Sequence, residues 1–225
     1  MRRAAVVVVG VALVLAACEQ TAQAGEATAS APVPALKAHE KPGLKTAIFA
    51  GGCFWGVEAV FSHVKGVKSA VSGYEGGAKA DADYESVSTG RTGMAESVKV
   101  TYDPSQVRYD QLLQVFFSVV ADPTLRNRQG PDSGTQYRSA LVPLNAEQRT
   151  VASAYLAQMG KSGVWKAPIA TRIEPFKGFY PAEGYHQDFA LKNPDNAYIV
   201  HWDAPKVRAL KAAYPGLYSA AFVKG

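Results

Sequence analysis

Residues 45–64 read KTAIFAGGCFWGVEAVFSHV, and the reading of this stretch decides the fold. Lys45–Ala50 is the short apolar run of a buried strand. Gly51-Gly52 ends it, since two glycines permit a tight or left-handed turn. From Phe54 to Val64 the apolar residues Val57, Val60, Phe61 and Val64 recur at helical spacing. The unit is strand, turn, helix, with Cys53 at the helix start. Free N–H groups and the positive end of the helix dipole favour an anion there. A thiol in that place is expected to ionise more readily than a free one. Phe54 and Trp55 follow directly and can form an apolar cup for a small side chain. The competing reading is a structural cysteine among core aromatic residues.

Outward from this unit, strand and helix signals alternate. Val67–Tyr74 reads as a strand ending in Glu75-Gly76-Gly77. In Glu96–Asp103, Glu96, Val98, Val100 and Tyr102 share one face of a strand. That parity turns the Glu96 carboxyl to the apolar side, where desolvation raises a carboxyl pKa. Tyr109, Leu112, Leu113, Phe116, Phe117 and Val120 form a helical stripe. Arg138–Pro143 reads as a strand. Asn145 and Gln148 resemble a capping box opening a helix to about Met159. Ile169–Glu174 is a last strand, Glu183–Leu191 a further helix, and the tail from Ala204 has the apolar spacing of a short one. The order β-α-β-β-α-β-α-β-α, with strands in clusters, predicts an α+β fold in a single domain.

Composition is that of an ordinary globular chain: 225 residues, 48% hydrophobic and 19% charged. The net charge of +5 is spread out, and it falls to about +3 if Arg2 and Arg3 leave with a cleaved leader. Nucleic acid is therefore not an expected partner. Cys18 and Cys53 are the two cysteines, which excludes a disulfide scaffold. One usable thiol and the scattered His39, His63, His186 and His201 leave no metal site to expect. His63 lies too far along the helix from Cys53 to serve as its base; His186 has no such restriction.

Residues 1–17 read MRRAAVVVVGVALVLAA, a basic start and an apolar middle too short for the roughly 20 residues of a membrane span. Leu15-Ala16-Ala17-Cys18 resembles the lipobox of bacterial lipoproteins. That resemblance implies cleavage before Cys18, a lipid on its thiol, and attachment to a membrane of the cell envelope on its extracytoplasmic face. Glu19 is not the Asp associated with inner-membrane retention in some enteric bacteria, so the expectation is the outer membrane, periplasmic side. Residues 18–44 are rich in Ala, Thr, Gln, Glu and Pro, and no aromatic residue precedes Phe49. They are expected to form a flexible tether, with the catalytic domain over 45–225.

Gly52-Cys53-Phe54-Trp55-Gly56 resembles the signature of the A-type peptide methionine sulfoxide reductases. The likeness continues through Gly73-Tyr74-Glu75-Gly76-Gly77, Tyr84, Gly93-Met94-Ala95-Glu96, Tyr102-Asp103-Pro104 to Phe116, and Asp132-Ser133-Gly134-Thr135-Gln136-Tyr137-Arg138-Ser139. It reaches Tyr185-His186-Gln187 and Asn193-Pro194, so that it covers about residues 45–200. The resemblance implies a two-layer sandwich with a mixed sheet and flanking helices. It implies reduction of methionine S-sulfoxide, free or in proteins, with Cys53 as nucleophile and Glu96 as proton donor. Tyr84 and Tyr137 fall where the family places two phenols near the sulfoxide oxygen, and Asp132 where it places an active-site carboxylate. Phe54 and Trp55 would hold the substrate side chain. His186 and Gln187 match a family element with no chemical role assigned.

Three positions depart from the family pattern: Met94 and Ser133 stand where His is frequent, and Ala121 precedes Asp122-Pro123 where His is frequent. Many relatives also carry resolving cysteines near the C-terminus, and here no cysteine follows Cys53. A sulfenic acid at Cys53 and an external thiol reductant, a thioredoxin-like protein or glutathione, are then expected, with no other cofactor and a monomeric enzyme. The readings from other classes are a binding lipoprotein without chemistry and a thiol peroxidase using Cys53.

Overall fold

The computed structural model describes residues 30–225. The leader expected over 1–17, the lipid-bearing Cys18 and the first part of the expected tether lie outside the described residues. β1 (Lys45–Gly51) leads through Gly52 and Cys53 into α1 (Phe54–Ser62), and β2 (Val67–Glu75) returns along the sheet. α2 (Tyr84–Ser88) and β3 (Ala95–Tyr102) follow, then α3 (Tyr109–Val115), continued by a π-helical turn at Phe116–Val120. A two-residue hairpin, β4 (Arg128–Gln129) with β5 (Asp132–Ser133), precedes β6 (Ser139–Val142) and α4 (Ala146–Lys161). β7 (Arg172–Ile173), β8 (Phe179–Pro181), α5 (Phe189–Lys192), a second π turn at Ile199–Asp203 and α6 (Ala204–Ala213) complete the chain.

Six strands form one mixed sheet in the order β7-β6-β1-β3-β2-β8, with only the β6–β7 pair parallel. The expected α+β fold, a mixed sheet with flanking helices in one domain, is the one observed. β1 lies near the middle of the sheet, so the turn that carries Cys53 leaves from a strand held on both edges. Phe49 anchors the helical layer to it, stacking on Phe61 of α1 at 4.7 Å and meeting Phe116 at 5.3 Å. Ala50, of opposite parity, joins Ala95 and Ala140 in a separate small cluster. No helix among the described residues is long and apolar enough to cross a membrane.

Four expectations need correction. Residues 30–44 are not a free tether. Ala31 and Ala38 are buried, and their N–H groups donate to Ser118 Oγ and Asp110 Oδ1, both at 3.0 Å. Tyr155 donates to the Pro32 carbonyl at 2.7 Å, and Glu40 accepts from the Tyr102 hydroxyl and the Tyr109 N–H. This docking runs through single hydrogen bonds, which leave no apolar periodicity to read. The stripe from Tyr109 widens into its π turn at Phe116 instead of staying α-helical throughout. The strand expected at Ile169–Glu174 shrinks to Arg172–Ile173, while β8, for which no strand was expected, closes the other edge of the sheet on β2. The helix expected over Glu183–Leu191 is a run of turns before the short α5, because Asp188 is left-handed (φ 54°) and Gln187 is committed to the Ser72 backbone.

Candidate active site

The turn between β1 and α1 depends on glycine. Gly52 has φ 89°, and a Cβ there would lie 2.6 Å from Gln129 Cβ. Gln129 is itself fixed by a pair of bonds with the Asp122 backbone. Cys53 then takes the N-cap position of α1 and is 9% exposed, nearly dry but not sealed from solvent. The first free N–H of the helix, that of Phe54, donates to Glu96 Oε2 at 3.0 Å.

Glu96 comes from β3, opposite Tyr74 of β2, and is 2% exposed. Parity of the strand, as read from the alternation with Val98 and Val100, brings the carboxyl to the helical layer. Burial pushes its pKa up to about 8, the Phe54 N–H pulls it down, and the charges of Asp132 and Asp203 add to the rise. At neutral pH this carboxyl keeps its proton, so a nearly dry thiol and a protonated acid meet at one helix end.

Tyr84 and Tyr137 border the same space. Tyr84 is the first residue of α2, whose start is fixed by Asp83 accepting from the Ser86 N–H at 2.9 Å and by the Tyr84 N–H donating to Glu183 at 2.9 Å. Tyr137 ends the 3-10 turn Thr135–Tyr137 before β6. Burial raises both phenols, and both lie within the electrostatic reach of Glu96, Cys53 and Asp132. They remain neutral donors. Asp132 of β5 accepts a hydrogen bond from the Tyr198 hydroxyl, which lowers its pKa against the larger effect of burial.

The aromatic pair divides. Phe54 is buried in the core, 5.8 Å from Tyr74 and 4.9 Å from His186 between ring centres. Trp55 is half-buried and forms a wall. It stacks on Phe189 at 3.7 Å, takes the edge of Tyr198 at 5.8 Å, and donates its indole N–H to His186 Nδ1 at 3.1 Å. His186 is buried and its pKa is lowered by that burial, so it stays neutral and can accept. The five expected residues Cys53, Glu96, Tyr84, Tyr137 and Asp132 thus converge with Trp55, while Phe54 is buried in the core.

One sequence-based expectation is reversed. The Cys53 thiol is pushed well above its ordinary value, first by burial and then by Glu96 and Asp203, and the Trp55 N–H only partly offsets this. The helix start does offer N–H groups, but the one on Phe54 goes to Glu96. Sequence reading also missed Phe189, Tyr198 and Asp203. The last two lie just ahead of the tail from Ala204 whose helical spacing was legible, in a stretch for which no element was expected. His186 was noticed, but its role as acceptor for Trp55 needs the fold.

The chain matches the family model for peptide methionine sulfoxide reductase over residues 45–215. It is 62% identical over 178 residues to peptide methionine sulfoxide reductase MsrA 2 of Mesorhizobium japonicum, covering 79% of this chain and 91% of that one. With MsrA 2 of Synechocystis the identity is 51% over 172 residues, covering 76% and 80%. Among solved structures it resembles methionine sulfoxide reductase A of Corynebacterium diphtheriae, with TM-score 0.58 and 35% identity over 68% of this chain and 77% of that one. The reduced form of Mxr1 from Saccharomyces cerevisiae gives TM-score 0.55 and 34% identity over 68% and 87%.

Proposed function

The chain belongs to the peptide methionine sulfoxide reductase family and reduces methionine sulfoxide in protein repair, and from that premise we propose that it works through a Cys53 sulfenic acid on extracytoplasmic proteins. The observation that carries the mechanism is the bond from the Phe54 N–H to Glu96, which ties the acid to the residue after the nucleophile. The substrate's methyl and methylene groups lie against Trp55. The Cys53 sulfur attacks the sulfoxide sulfur while Glu96 protonates the oxygen, which is a poor leaving group without that proton. Tyr84 and Tyr137 donate to the same oxygen as its charge develops. In sum, one thiol and one sulfoxide become one thioether and one sulfenic acid, with the oxygen moved to Cys53.

Since no other cysteine follows Cys53 in the sequence, regeneration uses an outside thiol. That thiol attacks the sulfenic sulfur, water leaves, and a second thiol frees Cys53 from the mixed disulfide. In an oxidising compartment the donor is a thioredoxin-like protein, with glutathione or another small thiol able to replace it in solution. Lipid on Cys18 holds a monomeric catalytic domain at the outer membrane, facing the periplasm.

Replacing the nucleophile tests the assignment. Cys53→Ser should abolish reduction of methionine sulfoxide with secondary structure unchanged. Appreciable turnover by the folded variant would contradict it. Persistent fast oxidation of the native protein by peroxide, with no reduction of sulfoxide, would favour the peroxidase reading.

A further inference from the structure

Asp203 is a buried acid beside the nucleophile that the proposed chemistry leaves unused. It stands where the second π turn meets α6 and is fully removed from solvent. Its carboxylate presses on the first turn of α1: a Cβ on Gly56 would lie 2.1 Å from Asp203 Oδ1, so the approach requires a glycine. Lys206, one turn further along α6, reaches Oδ1 at 3.4 Å. Oδ2 is buried with no hydrogen-bond partner. An unpaired buried carboxylate oxygen is costly, and its presence at such a place calls for a reason. The ionisable groups that face it are Cys53 at the head of α1, Glu96 of β3, Asp132 of β5, Tyr198 before the π turn, and Lys206.

We propose that Asp203 is a positioning residue for the proton of the nucleophile: its negative charge, seated on Gly56, opposes the positive end of α1 and keeps Cys53 a thiol and Glu96 an acid at rest. Together with burial, which is the larger effect, the arrangement explains why α1 can start at a cysteine without making it a thiolate. Burial raises Asp203 to about 6 against the pull of Lys206, so it is ionised at pH 7. With Glu96 carrying its proton there, Asp203 supplies the largest remaining charge effect on the thiol. A resting thiol is slow to react with stray oxidants, since the thiolate is the reactive form. Sulfoxide reduction remains possible because the acid retains the proton that the oxygen needs.

The inference rests on Cys53 and Glu96 as the reacting pair, and its test needs no sulfoxide. In the native protein with ¹³C-labelled aspartate, the Asp203 carboxyl should titrate around pH 6; a carboxyl still protonated at pH 7.5 would overturn the proposal. In Asp203→Asn, iodoacetamide should alkylate Cys53 roughly five- to tenfold faster at pH 7.5, the scale of removing one nearby charge from a poorly screened site. The alkaline fall of sulfoxide reduction should move to lower pH in the same variant. A folded Asp203→Asn with the native alkylation profile would overturn the proposal, since a merely structural role would leave that profile in place. Should the variant not fold, the carboxyl titration of the native protein decides. Predicted alkylation without any sulfoxide reduction would leave the charge effect standing and remove the reaction assignment instead.

Discussion

Glu96 carries the heaviest demand of any single side chain, since it must be buried, protonated at neutral pH and within reach of the substrate oxygen. Its pKa of about 8 fixes the sign of the pH dependence. The donor is present below that value and is lost as pH rises through it, so the chemical step should slow above about pH 8. Glu96→Gln should slow that step about 10²-fold at pH 7, within the range of general acid catalysis, with a smaller defect at low pH where solvent supplies the proton. Rapid-mixing measurement of methionine formation checks this, and an unchanged rate at pH 7 would rule Glu96 out as donor. The side of the strand that Glu96 occupies was legible from alternation with Val98, Val100 and Tyr102. The state of Cys53 was not. Helix-end position argues for a thiolate, whereas desolvation and neighbouring acids are set by residues from β3, β5 and the second π turn that only folding brings together.

At the scale of elements, the strand-turn-helix unit could be read because glycines and helical spacing fall in one short stretch. Strand order could not, since the pairing of β1 with both β3 and β6 is fixed by contacts distant in sequence. The docked segment 30–44 escaped for a different reason: its polar and Ala-Pro composition lacks an apolar face, yet Asp110, Ser118, Gln158 and Tyr155 bind its backbone one group at a time. This argues that residues 30–44 belong to the folded unit. Relative to a chain starting at residue 30, one starting at residue 45 should lose about 3 kcal/mol or more as several buried hydrogen bonds disappear. Urea denaturation of the two truncations measures the difference. Equal midpoints would show that the segment adds nothing to the fold.

For the whole molecule, the proposed lipid on Cys18 would join a repair domain to a membrane. The leader pattern and Cys18 argue for a lipid anchor, and acyl chains on that residue would supply the two or more signals that stable anchoring needs. Cys18→Ala should release or mislocalise the protein, as read by fractionation of cells, and mass spectrometry of the mature chain should find Cys18 modified. An unmodified Cys18 would contradict the anchor without touching the chemistry. The chemistry is tested most directly by one turnover of the reduced native protein with excess methionine sulfoxide and no added thiol. The account predicts about one methionine per chain and one dimedone adduct, located at Cys53, since one usable thiol can take one oxygen. A dominant Cys53–Cys53 dimer with no trapped sulfenic acid would contradict it, as would methionine release that continues past one equivalent.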